Sequence, residues 1–95
     1  MQHPAADPLN YEIQKYLRAL SNITRWSIVL MTIARPVQMH QILRALQIPK
    51  ANLSHHLRVL EAAELVVIER RGIRKSVHAT EVGAQLAKQV LSAIS

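Results

Sequence analysis

The sequence predicts a mostly helical domain closed by a small β-hairpin and one last helix, in the order α-α-α-α-β-β-α. Three observations carry that expectation. Apolar residues recur at helical spacing from residue 11 to residue 63. The period then changes to a β-branched, strand-like run over residues 65–69. Arg71-Gly72 offers a turn, followed by a second strand-like run over residues 73–79. Ninety-five residues make a single domain, and a chain this short buries only ~60–65% of the surface it exposes when unfolded. The expected division is a flexible tail over residues 1–8 and one domain over residues 9–95.

Residues 1–8 hold two prolines and no apolar period, as a tail does. In the first helix, Ile13, Tyr16, Leu17 and Leu20 share one face. Asn22 is a fit N-cap for the second, since its side-chain oxygen can accept an orphan backbone N–H. That helix is expected over residues 23–34, with Trp26, Val29, Leu30 and Ile33 as its buried stripe. Pro36 lacks an N–H and restricts Arg35, so it should end the helix. A short third helix follows over residues 38–46, with Ile42, Leu43 and Leu46 inward. Pro49 suits the first turn of the fourth, which reaches about residue 63. Leu53, His56, Leu57 and Leu60 face inward there, with His56 a hydrogen-bonded core residue; Lys50, Ala51, Ser54, His55 and Arg58 face outward.

Beyond the hairpin, Thr80 can cap a last helix in which Val82, Leu86, Val90 and Ile94 recur every fourth residue. The first and last helices each carry an apolar stripe with no evident partner within the chain. Ile13, Tyr16, Leu17, Leu20, Leu86, Val90 and Ile94 are therefore expected to form a homodimer interface.

Charge narrows the function. Twelve Lys and Arg against six Asp and Glu give +6, which favours an anionic partner. No acid lies between Glu12 and Glu61, where Lys15, Arg18, Arg25, Arg35, Arg44, Lys50 and Arg58 fall. Arg70, Arg71, Arg74 and Lys75 form a second cluster on the hairpin. The chain has no cysteine, which excludes disulfides, zinc–thiolate sites and thiol nucleophiles. Two glycines leave no glycine-rich phosphate loop, and the acids are too scattered for a paired-carboxylate site. Ser54 and His55 are sequence neighbours, whereas triad members must converge in space. No enzymatic activity is expected. Apolar runs fall far short of the ~20 residues of a spanning helix, and no basic segment precedes an apolar one at the start, so a cytoplasmic protein is expected.

Two helices with a short connection, followed by a basic hairpin, have a physical use. The major groove is about 12 Å wide and admits one helix. The preceding helix braces it across the backbone, and a hairpin tipped with arginines reaches the flanking phosphates. This is the winged helix-turn-helix arrangement. Gln38, His40 and Gln41 at the start of the bracing helix are expected to meet the DNA backbone. Ser54 and His55 are expected to contact bases, with Arg58 on the same outer face, while Arg70, Arg71, Arg74 and Lys75 meet phosphates.

The sequence also resembles a known family. Leu17-Arg18-Ala19-Leu20-Ser21-Asn22-Ile23-Thr24-Arg25 is similar to the opening signature of the ArsR/SmtB repressors. Leu53-Ser54-His55-His56-Leu57-Arg58-Val59-Leu60 is similar to their recognition helix, and Glu64-Leu65-Val66 to its lead into the wing. Thr80-Glu81-Val82-Gly83 is closer to the end of a wing in the MarR group. The resemblance implies a homodimeric bacterial or archaeal repressor whose terminal helices dimerise. It also implies that Lys50, Ala51 and Asn52 enter the groove deepest.

Departures from the family pattern shape the remaining expectations. Metal-sensing members place cysteines at the third helix, where this chain has Val37-Gln38-Met39-His40. Zinc sensors of the last helix use an Asp-x-His pair and a later His; here His78 stands alone, and zinc takes four ligands. No metal and no cofactor are expected. Ile23 replaces a first-turn proline, and Gln47 replaces a glycine; a left-handed Gln47 would cost ~1–2 kcal/mol. The expected function is a sequence-specific, double-stranded-DNA-binding transcriptional repressor that occupies its promoter as a homodimer. The alternative is a winged-helix interaction or assembly module that does not read DNA sequence.

Overall fold

The computed structural model describes the backbone of residues 8–94 and the side chains of residues 13–93. The expected tail lies outside the described residues except for Pro8, which opens a helix. The order is α1 (Pro8–Ala19), α2 (Ile23–Met31), β1 (Val37–Gln38), α3 (Met39–Leu46), α4 (Lys50–Ala62), β2 (Val66–Arg71), β3 (Arg74–Ala79) and α5 (Glu81–Ile94). The fold is mostly helical with a small antiparallel sheet. Proline at the first helical position of α1 is well placed, because the N–H it lacks would have no helical acceptor.

Asn22 caps α2 as its side chain suggests. Its backbone is extended, and its Oδ1 accepts the N–H groups of Thr24 at 2.8 Å and Arg25 at 3.2 Å. The far end of α2 differs from expectation: the helix stops at Met31, not near Pro36. Thr32 is the cause. Its buried hydroxyl donates to the carbonyls of Ile28 (2.9 Å) and Val29 (3.2 Å), and its own carbonyl accepts the N–H of Ala79 at 3.0 Å. The buried face also differs. Ile28 and Val29 are fully buried, Trp26 and Ile33 only partly, and Leu30 is exposed.

The sheet has three strands, in the order β1-β3-β2, rather than a lone hairpin. Val37 pairs with Val77 and Gln38 with Ser76. Two residues are too few for alternation to signal a strand. The hairpin loop is Gly72-Ile73, one residue later than expected, because Arg71 is still paired with Arg74. Gly72 has φ of 60°, and a glycine with positive φ at the first of two loop residues matches the twist of the flanking strands.

Gln47 is left-handed, with φ 52° and ψ 50°, and its N–H donates to the Leu43 carbonyl at 2.8 Å. Pro49 precedes α4 instead of filling its first turn; its carbonyl accepts the N–H groups of Asn52 and Leu53. At the other end of α4, Glu64 turns the chain with φ of 62°.

Ile28, Val29, Ile42, Leu53, Leu60, Leu65, Val66, Val77 and Ala87 form the centre of the core. Each large aliphatic among them contributes about 1.5–3 kcal/mol by leaving water. Thr80 joins α5 to this core. Its hydroxyl accepts the Gly83 N–H at 3.0 Å and donates to the Glu64 carbonyl at 2.7 Å, while its N–H donates to the Leu65 carbonyl at 3.0 Å. Gly83 permits that approach, since a Cβ there would lie 2.3 Å from the Leu65 carbonyl oxygen.

Candidate nucleic-acid interface

Helix α4 buries Leu53, Leu57 and Leu60 and turns Ala51, His55 and Arg58 to solvent. That division follows from the spacing of its leucines. Ser54 sits on one flank of the exposed face, half-buried. It lines a cleft of about 430 Å³ with Gln38, His40, Lys50, Ile73, Arg74 and Lys75, at the junction of α3, α4 and the wing. A smaller neighbouring cleft of about 210 Å³ brings Ser54 and Arg58 together with Glu61, Arg70 and Lys75.

The structure thus gathers Gln38, His40, Lys50, Ser54, Arg58, Arg70, Arg74 and Lys75 on one side of α4. Other expected residues stand apart. Asn52 is exposed but, at 100° per residue, points about 160° around the helix from Ser54. Gln41 is exposed on α3 and uses its Oε1 to accept the Gln38 N–H at 3.1 Å. Arg71 is exposed at the end of β2, opposite Arg74. His55 lines a third cleft, of about 470 Å³, on the flank away from the wing, with Gln14, Lys15, Arg18, Arg25 and Val59.

Arg25 is the residue that sequence reasoning leaves without a role. Its Nε donates to the Ala19 carbonyl at 2.5 Å and its Nη2 to the Arg18 carbonyl at 3.4 Å. Its Nη1 donates to Nδ1 of His56 at 3.2 Å. His56 is half-buried at the edge of the core rather than inside it. Because an arginine can only donate, Nδ1 accepts, and the imidazole is neutral with its proton on Nε2. Burial holds the pKa of His56 below the ordinary 6.5, and the neighbouring Arg25 and His55 push the same way. No periodicity marks such a bridge; only the sequence position of Arg25, three residues after the Asn22 cap, brings it near the end of α1.

On the proposed dimer stripe, Ile13, Leu17 and Val90 are exposed. Tyr16, Leu20 and Leu86 instead pack partly against the chain's own core. The Ile94 side chain lies outside the described residues. Ile23, Leu30, Val82 and Leu91 add exposed apolar surface that the stripe did not include. Among the described residues, no three His, Cys, Asp or Glu side chains converge as metal ligands. No described helix is long and apolar enough to cross a membrane.

Comparison with known proteins places this geometry. Reduced HlyU from Vibrio cholerae N16961 superposes with a TM-score of 0.83 at 16% identity, over 93% of this chain and 94% of that one. The homodimeric winged helix-turn-helix DNA-binding domain of Mb0332 from Mycobacterium bovis, a possible ArsR-family regulator, gives 0.83 at 23% identity, over 99% and 86%. A transcriptional regulator homologue from Pyrococcus horikoshii OT3 gives 0.74 at 29% identity, over 88% and 90%. No curated protein matches the chain. Residues 20–69, which run from the end of α1 into β2, match the family described as helix-turn-helix domain. A helix-turn-helix domain is a binding module and not an enzyme. With the two helices, the wing and the matched segment in agreement, the chain belongs to the helix-turn-helix domain family and has the winged form of its fold.

Proposed function

We propose that this chain is an ArsR-like, homodimeric transcriptional repressor that reads double-stranded DNA and acts by occupying its promoter. One observation carries the reading. The start of α3, the N-terminal half of α4 and the wing share a basic cleft that holds Gln38, His40, Lys50, Ser54, Arg74 and Lys75. Its shape and charge suit a duplex whose major groove takes α4 and whose phosphates meet the wing. Ser54, His55 and the N-terminal Lys50 and Ala51 then contact bases, and Asn52, on the opposite flank from Ser54, meets the backbone of the other strand. Gln38, His40, Gln41, Arg58, Arg70, Arg71, Arg74 and Lys75 meet the backbone.

Dimerisation fits the exposed Ile13, Leu17 and Val90, and the homodimeric state given for Mb0332 supports it. Two recognition helices one helical turn apart would cover successive major grooves. The test is selection of bound fragments from genomic DNA, followed by titration of the recovered duplex and of unrelated duplex at fixed salt. A sequence-specific regulator binds the recovered site at least ~10³-fold more tightly. Equal affinity for both duplexes would remove the specific reading and leave an interaction module.

A further inference from the structure

We infer that α1 supplies a second phosphate clamp, on the flank of α4 that the wing does not reach, with Arg18 as its principal contact. The inference rests on the DNA-binding reading above. A helix seated in the major groove has a sugar–phosphate strand along each side. Arg58, Arg70, Arg74 and Lys75 serve the side next to the wing. The other flank of α4 opens into the cleft of about 470 Å³ whose far wall is α1, carrying Gln14, Lys15 and Arg18. Among the described residues, no carboxylate lines that cleft. On the side of α4 and its C-cap, His55, Val59, Ala62 and Ala63 line it.

The cations in the cleft are not equivalent. Arg25 spends its guanidinium inside the protein, on the carbonyls of Arg18 and Ala19 and on His56. Lys15 pairs with Glu64 at 3.9 Å and lies 5.1 Å from the centre of its neighbour Tyr16's ring. Arg18 is different. Its backbone carbonyl is held by Arg25 and also accepts the Ser21 hydroxyl at 2.8 Å, yet its exposed side chain has no partner among the described residues. A fixed backbone therefore presents an uncommitted guanidinium next to the recognition helix. Phosphate recognition by arginine favours that combination. Another role for a cation in the last turn of a helix is to offset the helix dipole, and the experiment separates the two.

Arg18→Gln removes the charge and leaves both backbone hydrogen bonds in place. The full chain, this variant and Arg74→Ala would be titrated against one duplex of mixed sequence over a salt series. Each phosphate deprived of its cation lowers the salt slope by about one, so the affinity ratio between 50 and 200 mM salt should shrink about three- to fourfold. Arg18→Gln is expected to match Arg74→Ala in this respect, the two changes should add, and Arg18→Lys should keep the wild-type slope. The melting temperature of Arg18→Gln should stay at the wild-type value. A wild-type slope in Arg18→Gln beside a reduced slope in Arg74→Ala overturns the second clamp and leaves the DNA-binding reading intact. So does a fall in binding that follows a fall in melting temperature, which would make Arg18 a helix-end cation only. A wild-type chain with no salt-dependent affinity for the duplex overturns both.

Discussion

Arg25 donates to Nδ1 of His56 at 3.2 Å while its other nitrogens hold the last carbonyls of α1. One guanidinium thus ties the N-terminal helix to the helix proposed to read DNA. The tie requires a neutral imidazole, because a protonated Nδ1 would face a cation with a donor of its own. The pKa of His56 is lower in the folded chain than the ordinary 6.5 of an unfolded one. Between those two values the unfolded state binds more protons, so stability rises with pH. The contribution is fully present above about 6.5 and is lost as pH falls through the folded value. Urea unfolding midpoints should drop between pH 7.5 and 5.5 in the wild type and drop less in His56→Gln. Equal slopes in the two proteins would show that His56 is not the group responsible.

Gly83 sets helix propensity against space. Alanine is worth ~1 kcal/mol more than glycine inside a helix. Its Cβ, however, would stand 2.3 Å from the Leu65 carbonyl oxygen, a backbone atom with little freedom to retreat. Overpacking of this kind costs about 1–3 kcal/mol or more, so sterics should win. Gly83→Ala is expected to lower denaturant stability by about 1–2 kcal/mol. A gain in stability would mean that α5 lifts from the bend at no cost.

Gln47 sits in the left-handed region with φ of 52°. Glycine there relieves roughly 1–2 kcal/mol of strain and gives back roughly 0.4–1 through the entropy of the unfolded chain. Gln47→Gly should therefore stabilise the fold modestly, by about 0.5–1 kcal/mol. Gln47→Val should destabilise it, since β-branching aggravates positive φ. Thermal melts of the two variants should move in opposite directions.

Val90 gives a cleaner test of dimerisation than Leu86, which packs partly against its own core. Val90→Glu places a charge on an exposed apolar site of α5. Sedimentation at tens of micromolar is expected to show wild-type dimer and variant monomer, with circular dichroism unchanged. A wild-type monomer would end the dimer reading.

Wing and recognition helix should fail differently. Arg74→Ala should weaken binding to all duplexes nearly alike and lower the salt slope by about one. Ser54→Ala and His55→Ala should each cost ~1–3 kcal/mol on the selected site and much less on unrelated DNA. If Arg74→Ala shifts sequence preference and His55→Ala does not, the wing is the reader.

Much of this fold is legible in the sequence, because the devices that set it are local. Asn22, Thr80 and Gly72 each announce a cap or a turn within a few residues, and the leucines of α4 fix its buried face. Failures occur where distant atoms decide. Thr32 ends α2 by a hydroxyl bond and by a carbonyl that meets Ala79, so a proline four positions later is the wrong signal. Val37-Gln38 becomes a strand only because β3 lies beside it. The candidate site divides in the same way. Its charges and the outward face of α4 are legible, whereas the flank on which each residue stands depends on how the wing and α1 pack. That is why Asn52 and Ser54 separate, and why Arg25 has no role visible in the sequence.

Because β3 is the middle strand of the sheet, the wing is anchored along both edges of its inner strand, to β2 on one side and to the two residues that lead into α3 on the other. If α4 and the wing grip DNA as proposed, they form the jaws of a caliper with a fixed opening. A duplex whose groove already matches that opening is gripped without distortion. A stiffer or narrower one must be bent to fit, and the cost of bending depends on its base steps. Part of the selectivity would then reside at base pairs that no side chain touches.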